Sequence, residues 1–133
     1  MNQEIPKVAS SSFQQIFDFV VSNLLKQNAK SVMPVVDIDY SPSCSYRGED
    51  GKKCAAGFLI PDDKYEPRFE HQSVCSTPVI RAIIEDFDRH NKNHSRKQEF
   101  IRQMQSIHDT YEPEEWPHQF QKLAKKKRLT YKF

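Results

Sequence analysis

Cys44-Ser-Tyr-Arg-Gly-Glu-Asp-Gly-Lys-Lys-Cys-Ala-Ala-Gly-Phe-Leu-Ile-Pro-Asp62 gathers all three glycines of the chain and two of its three cysteines into one short stretch. Glycine used here and nowhere else implies backbone geometry that other residues resist, either positive φ or close approach of another segment. Asp50-Gly51 supplies hairpin turn chemistry, and Phe58-Leu59-Ile60 reads as a buried continuation, so the stretch from Tyr46 to Ile60 is predicted to be a β-hairpin. A second reading starts a helix near Lys53 and runs it through Cys54-Ala55-Ala56, with Gly57 permitting tight packing. Short apolar runs fit both periods.

On either side of this stretch the periodicity is helical. Phe13, Ile16, Phe17, Val20, Val21, Leu24 and Leu25 recur at three and four, predicting an amphipathic helix over residues 12–28, opened by a capping box of Ser11 with Gln14 or Ser12 with Gln15. Residues 29–42, with Pro34, Asp37 and Asp39, read as a loop or short edge strand. Thr77-Pro78 announces a helix over about 78–89 that ends in the polar run His90 to His94. Ser95 with Gln98 opens a third, carrying Phe100, Ile101, Met104, Ile107, His108 and Tyr111, and Pro113 stops it. Trp116, Phe120, Leu123 and Ala124 form a fourth, with Pro117 in its first turn. Leu129 to Phe133 alternates and is read as a terminal strand. The expected class is therefore α+β and helix-dominated, about four helices packed around a small hairpin or sheet. Residues 1–10 form a flexible lead-in, and 11–133 a single globular domain with a basic C-terminal tail.

The chain has 133 residues, enough for one core and not for a second. Twenty basic residues stand against 18 acidic, so no global field recruits nucleic acid or an anionic membrane. No apolar run is long enough to span a bilayer and no secretory leader is visible, which predicts a cytoplasmic protein. Three cysteines without a CxxC pair suit reduced thiols.

The pattern Cys44-x-Tyr46-Arg47-Gly48-x-x-Gly51-x-Lys53-Cys54-Ala55-x-Gly57-x-Leu59-Ile60-Pro61-Asp62-x-x-Tyr65, with Leu24-Leu25-x-Gln27 before it and Gln105-x-Ile107-His108-Asp109 and Glu115-Trp116 after it, resembles small uncharacterised proteins of bacteriophages and bacterial genomes. The resemblance runs from about Phe17 to Leu129. It implies a phage or prophage setting in a bacterial host and carries over no catalytic residue. This chain has Gly57-Phe58 where such proteins are expected to place a second glycine-cysteine pair.

Four constellations could carry chemistry. Cys54 with His108 and Asp109 would make a thiolate nucleophile, its base and an orienting carboxylate, as in a cysteine-dependent hydrolase or transferase, although adjacent residues on a helix point about 100° apart. Against this, Cys54 reads equally as a small buried hydrophobe and His108 as a core histidine. Cys44, Cys54, His71 and Cys75 are the ligand types of structural zinc, but their spacing lacks the two close pairs of zinc folds, so no metal and no cofactor is expected. Lys125, Lys126, Lys127 and Arg128 lie in a run from Lys122 to Lys132 with six basic residues and no acidic one, where Tyr131 and Phe133 could stack on bases. Tyr46, Arg47, Gly48, Gly51, Lys53, Gly57, Asp62 and Tyr65, with Tyr40 and Phe69 nearby, have the Tyr and Arg composition of interface anchors. The last reading leads: an accessory protein that binds and modulates or inhibits a host or competing macromolecule, most simply a protein.

Overall fold

The structure is a computed structural model that describes residues 4–32 and 45–133. Tyr40, Cys44 and most of the loop or edge strand expected at 29–42 lie outside the described residues. Among the described residues, four α-helices form the frame: α1 (Phe13–Gln27), α2 (Thr77–Ile83), α3 (Lys92–Thr110) and α4 (Trp116–Lys126).

Helix α1 starts where the capping chemistry places it. Ser12 Oγ accepts from the Gln15 N–H at 3.1 Å and Gln15 Oε1 accepts from the Ser12 N–H at 2.8 Å, closing both arms of the box. Asn28, at φ 50°, ends the helix in the left-handed conformation. Ile16, Phe17, Val20, Val21 and Leu24 are buried along one face. Phe17 meets Phe100 of α3 and Phe120 of α4, each with ring centroids 6.3 Å apart. Phe100, Ile101 and Met104 from α3 and Trp116, Phe120, Leu123 and Ala124 from α4 complete the core. Ahead of α1, Val8 is buried in a 3-10 turn, Val8–Ser10, whose carbonyls Val8 O and Ala9 O accept from Lys97 Nζ at 2.8 and 3.0 Å. Burial pushes the Lys97 ammonium below its ordinary range.

Two helix boundaries move from their expected places because side chains take over backbone hydrogen bonds. Helix α2 stops at Ile83 rather than about residue 89: the Asp88 N–H goes to His94 Nδ1 at 3.0 Å and the His90 N–H to Asp88 Oδ1 at 2.9 Å. Helix α3 begins inside the polar run expected to separate the helices, since Asn91 caps it through the His94 N–H at 3.1 Å.

The expected hairpin is not there. No β-sheet occurs among the described residues, and the molecule is helical with an irregular central segment, residues 45–76, built from 3-10 turns at Glu49–Gly51, Gly57–Leu59, Asp62–Lys64 and Pro67–His71. The Asp-Gly turn does form, with φ of 58° at Asp50 and 73° at Gly51, as a type I′ hairpin turn requires. Its flanks do not become strands, because other groups hold the backbone a ladder would pair. Gln27 takes both the Lys53 N–H (3.0 Å) and the Lys53 carbonyl (2.8 Å), and Glu70 takes the N–H groups of Tyr46 and Arg47 at 2.9 and 3.1 Å. The alternative reading comes nearer, since Ala56 is right-handed helical and leads into the Gly57–Leu59 turn. The terminal strand is also absent: the N–H and carbonyl of Thr130 bond the side-chain amide of Gln14, each at 2.9 Å, which ties the tail to α1.

Candidate functional site

The central segment is pinned by side chains reaching in from every direction. Arg47 is its internal clamp: one guanidinium nitrogen donates to the Gly57 carbonyl at 2.8 Å, the other to the Ile60 carbonyl at 2.8 Å and to Asp62 Oδ1 at 3.1 Å, while the group sits 4.9 Å over the Tyr65 ring. Glu70 faces it. Its carboxylate accepts from Ser45 Oγ (2.6 Å), from the Tyr46 and Arg47 N–H groups and from the Tyr65 hydroxyl. Burial and the bond to Glu70 together push the Tyr65 phenol above its ordinary range. Tyr46, buried, donates its hydroxyl to the Gln72 carbonyl at 2.7 Å, and burial raises its phenol too.

The glycines allow these approaches. A Cβ on Gly57 would lie 2.4 Å from the Tyr46 carbonyl oxygen, and one on Gly48 would lie 2.4 Å from Ser31 Oγ. Lys53 Nζ lies 3.9 Å from Asp62 Oδ1 and 6.0 Å from the Phe58 ring centroid. The binding candidates Tyr46, Arg47, Gly48, Gly51, Lys53, Gly57, Asp62 and Tyr65 are thus gathered in one segment, but mainly they hold one another. Asp62, with its side chain 87% exposed, is the most available of the charged ones.

Helix α3 supports the segment from behind. Gln105 Oε1 accepts from the Ala56 N–H at 2.9 Å, and Gln105 Nε2 donates to Asp109 Oδ1 at 2.8 Å. His108 is fully buried and stacks on Trp116 with centroids 5.4 Å apart. Its Nε2 accepts from the Ser31 N–H at 3.1 Å, which places the ring proton on Nδ1, facing Asp109 Oδ1 at 2.8 Å. His108 and Asp109 therefore do meet, despite leaving the helix in different directions.

Cys54 is not part of that pair. It is fully buried, its Sγ accepts from the Gly57 N–H at 3.4 Å, and burial pushes the thiol far above its ordinary value while Gly57 and Gln105 pull weakly the other way. Both His108 nitrogens are engaged elsewhere, so the three residues expected to form a catalytic set make one pair and one helix-turn cap. Of the zinc candidates, Cys44 lies outside the described residues. Cys75 and His71 are exposed, Cys54 is buried, and no group of metal-ligating side chains forms among the described residues.

Between the segment and α3 lies a cleft of about 450 Å³. Tyr46, Glu70, Gln72 and Ser73 form one wall, Gln105, Asp109 and Thr110 the other, and Cys54 lies beneath. Its lining is mixed in charge and rich in hydrogen-bonding groups already held in place. Such a slot can receive a protruding polar side chain or loop without rearranging. The basic candidates Lys125, Lys126, Lys127 and Arg128 end α4 on another face, with Arg128 at φ 58°. Tyr131, expected as a base-stacking aromatic, packs on Phe17 instead, with centroids 6.4 Å apart, and Phe133 is 45% exposed.

Gln27, Ser31 and Glu70 were not among the candidate site residues. Gln27 and Gln105 stand in the motif pattern quoted from the sequence, which was their only signal; Glu70 had none. No family model, no curated protein and no solved structure matches the chain.

Proposed function

We propose that this chain is a small accessory protein of phage or prophage type, acting in the bacterial cytoplasm, that binds a host or competing protein and modulates or inhibits it. The cleft between the central segment and α3 carries this reading. Its walls are locked by Arg47, Glu70, Gln105 and Tyr46 before any partner arrives, so little conformational entropy is lost on binding. Among the described residues, no helix is long and apolar enough to cross a membrane, in keeping with that setting. A hydrolase built on Cys54 gains no support, because its thiol is buried and the expected base, His108, already bonds Ser31 and Asp109.

Affinity capture from bacterial lysate tests the proposal with three full-length forms. Wild type and Lys125→Ala, altered on a distant exposed face, retain the same stoichiometric protein. Thr110→Trp, which fills the cleft, loses it. Retention of that protein by Thr110→Trp, or no stoichiometric protein with wild type, overturns the proposal.

A further inference from the structure

The face of the molecule formed by α3 and α4 is charged differently from the rest. No acidic residue follows Glu115, while Lys122, Lys125, Lys126, Lys127, Arg128 and Lys132 do. The helix dipole accounts for cations in the last turn of α4. It does not account for Arg96 and Arg102, which α3 brings to the same face. Two grooves show the juxtaposition. One, of about 360 Å³, is lined by Arg102, Gln103, Tyr111, Gln119, Lys122 and Lys126, among others, with no carboxylate in its wall. The other, of about 510 Å³, is lined by Phe13, Leu129, Arg96 and Lys127, with Glu99 and Ser95. Glu99 is the single acidic residue in either wall, and it is already spent: Arg102 Nε donates to it at 2.8 Å. That guanidinium holds the Glu99 carboxyl below its usual range, with Lys127 and Lys126 adding to the effect.

Within the carboxylate-free groove, Tyr111 is half-buried and offers a flat aromatic wall. Cations around an aromatic are complementary to a phosphate chain carrying flat bases. A groove of this size takes a single base rather than a duplex.

We infer that the α3–α4 face with its two grooves binds single-stranded nucleic acid, Lys122 and Lys126 in one groove and Arg96 and Lys127 in the other against phosphates, and Tyr111 under a base. This does not rest on the protein-binding reading of the cleft, which lies on the other side of the Arg102 and Ser106 ridge. The cations named earlier in the chain divide here: Lys126 and Lys127 line the grooves, Lys125 and Arg128 do not.

Fluorescence anisotropy of a labelled oligodeoxythymidine of about fifteen nucleotides tests it on the full-length protein. Binding at low salt weakens as salt rises, with a log-log slope of about 2–3 for three or four phosphate contacts. The double variant Lys122→Ala with Lys126→Ala lowers that slope by about 1.4. Tyr111→Leu lowers affinity about tenfold with the slope unchanged, and Tyr111→Phe restores it. Absence of binding at low salt, an unaltered slope in the double variant, or indifference to Tyr111→Leu overturns the inference. So does equal competition by a sulfated polysaccharide or by duplex DNA.

Discussion

The helical frame and the central segment are held by different physics. In the frame, Phe17, Phe100, Phe120, Met104 and Trp116 are buried by apolar contact, which is non-directional and tolerant of exchange at constant volume. In segment 45–76 the backbone lacks regular pairing, and directed hydrogen bonds from Glu70, Arg47, Gln27 and Gln105 replace it. A frame of the first kind can be specified by pattern. A segment of the second kind needs particular side chains at particular places.

Substitutions sharpen that contrast in order of size. Phe17→Ala opens a cavity at the meeting point of three helices and lowers stability by about 3–5 kcal/mol, whereas Met104→Leu costs under about 1.5 kcal/mol, both read from denaturant unfolding. In the segment the tolerance disappears. Glu70→Ala strands the Tyr46 and Arg47 N–H groups and costs about 3 kcal/mol, and even Glu70→Gln, nearly the same shape, costs about 2 kcal/mol because its NH₂ faces donors. A Glu70→Gln protein as stable as wild type would erase the distinction between the two regions.

Glycine substitutions come next. Gly57→Ala drives a methyl group into the Tyr46 carbonyl and costs about 2 kcal/mol. Gly51→Ala meets open space but keeps φ at 73°, and loses about 1 kcal/mol to backbone strain alone. If the two rank the other way in thermal melts, close approach is not what Gly57 provides.

A last test is run in alkali. Cys54 keeps its proton in the folded protein, while the unfolded chain releases it at the ordinary value of 9.0, so its contribution is intact below pH 9.0 and is lost as pH rises beyond. Tyr46 and Tyr65, raised from 10.0, act in the same direction at higher pH. Lys97, lowered from 10.5, works the other way, because the folded state releases its proton first. Unfolding free energy measured between about pH 8 and 11 therefore begins to fall near pH 9. Cys54→Ser keeps an acceptor for the Gly57 N–H and delays the fall toward pH 10, where the tyrosines begin. An unchanged onset in Cys54→Ser would show that the buried thiol is not the group responsible.

Much of the frame was legible in advance. The Ser12 capping box, the apolar face from Ile16 to Leu24 and the Pro117 start of α4 are local signals, each complete within a few residues. The Asp50-Gly51 turn was legible as well, but what surrounds it was not. Whether a turn becomes a hairpin depends on which groups reach the flanking backbone first, and Glu70 gives no sign in the sequence of being one of them. The bonding of Cys54 and His108 was hidden for a related reason: spacing can suggest that the two meet, yet it cannot reveal that Ser31 bonds the imidazole and Gly57 the thiol.

Amino-acid order alone determined that four helices form near their places, the cap of α1 and the gathering of glycine into one contorted stretch, because these follow from periods of three to four residues and from the φ values a side chain permits. Tertiary structure decided the path of that stretch and its cleft. The bonds that hold it join residues 26 and 49 positions apart, from Gln27 to Lys53 and Gln105 to Ala56. A hydrogen bond needs its partner within about 3 Å and in line, a condition that exists only once the helices have packed.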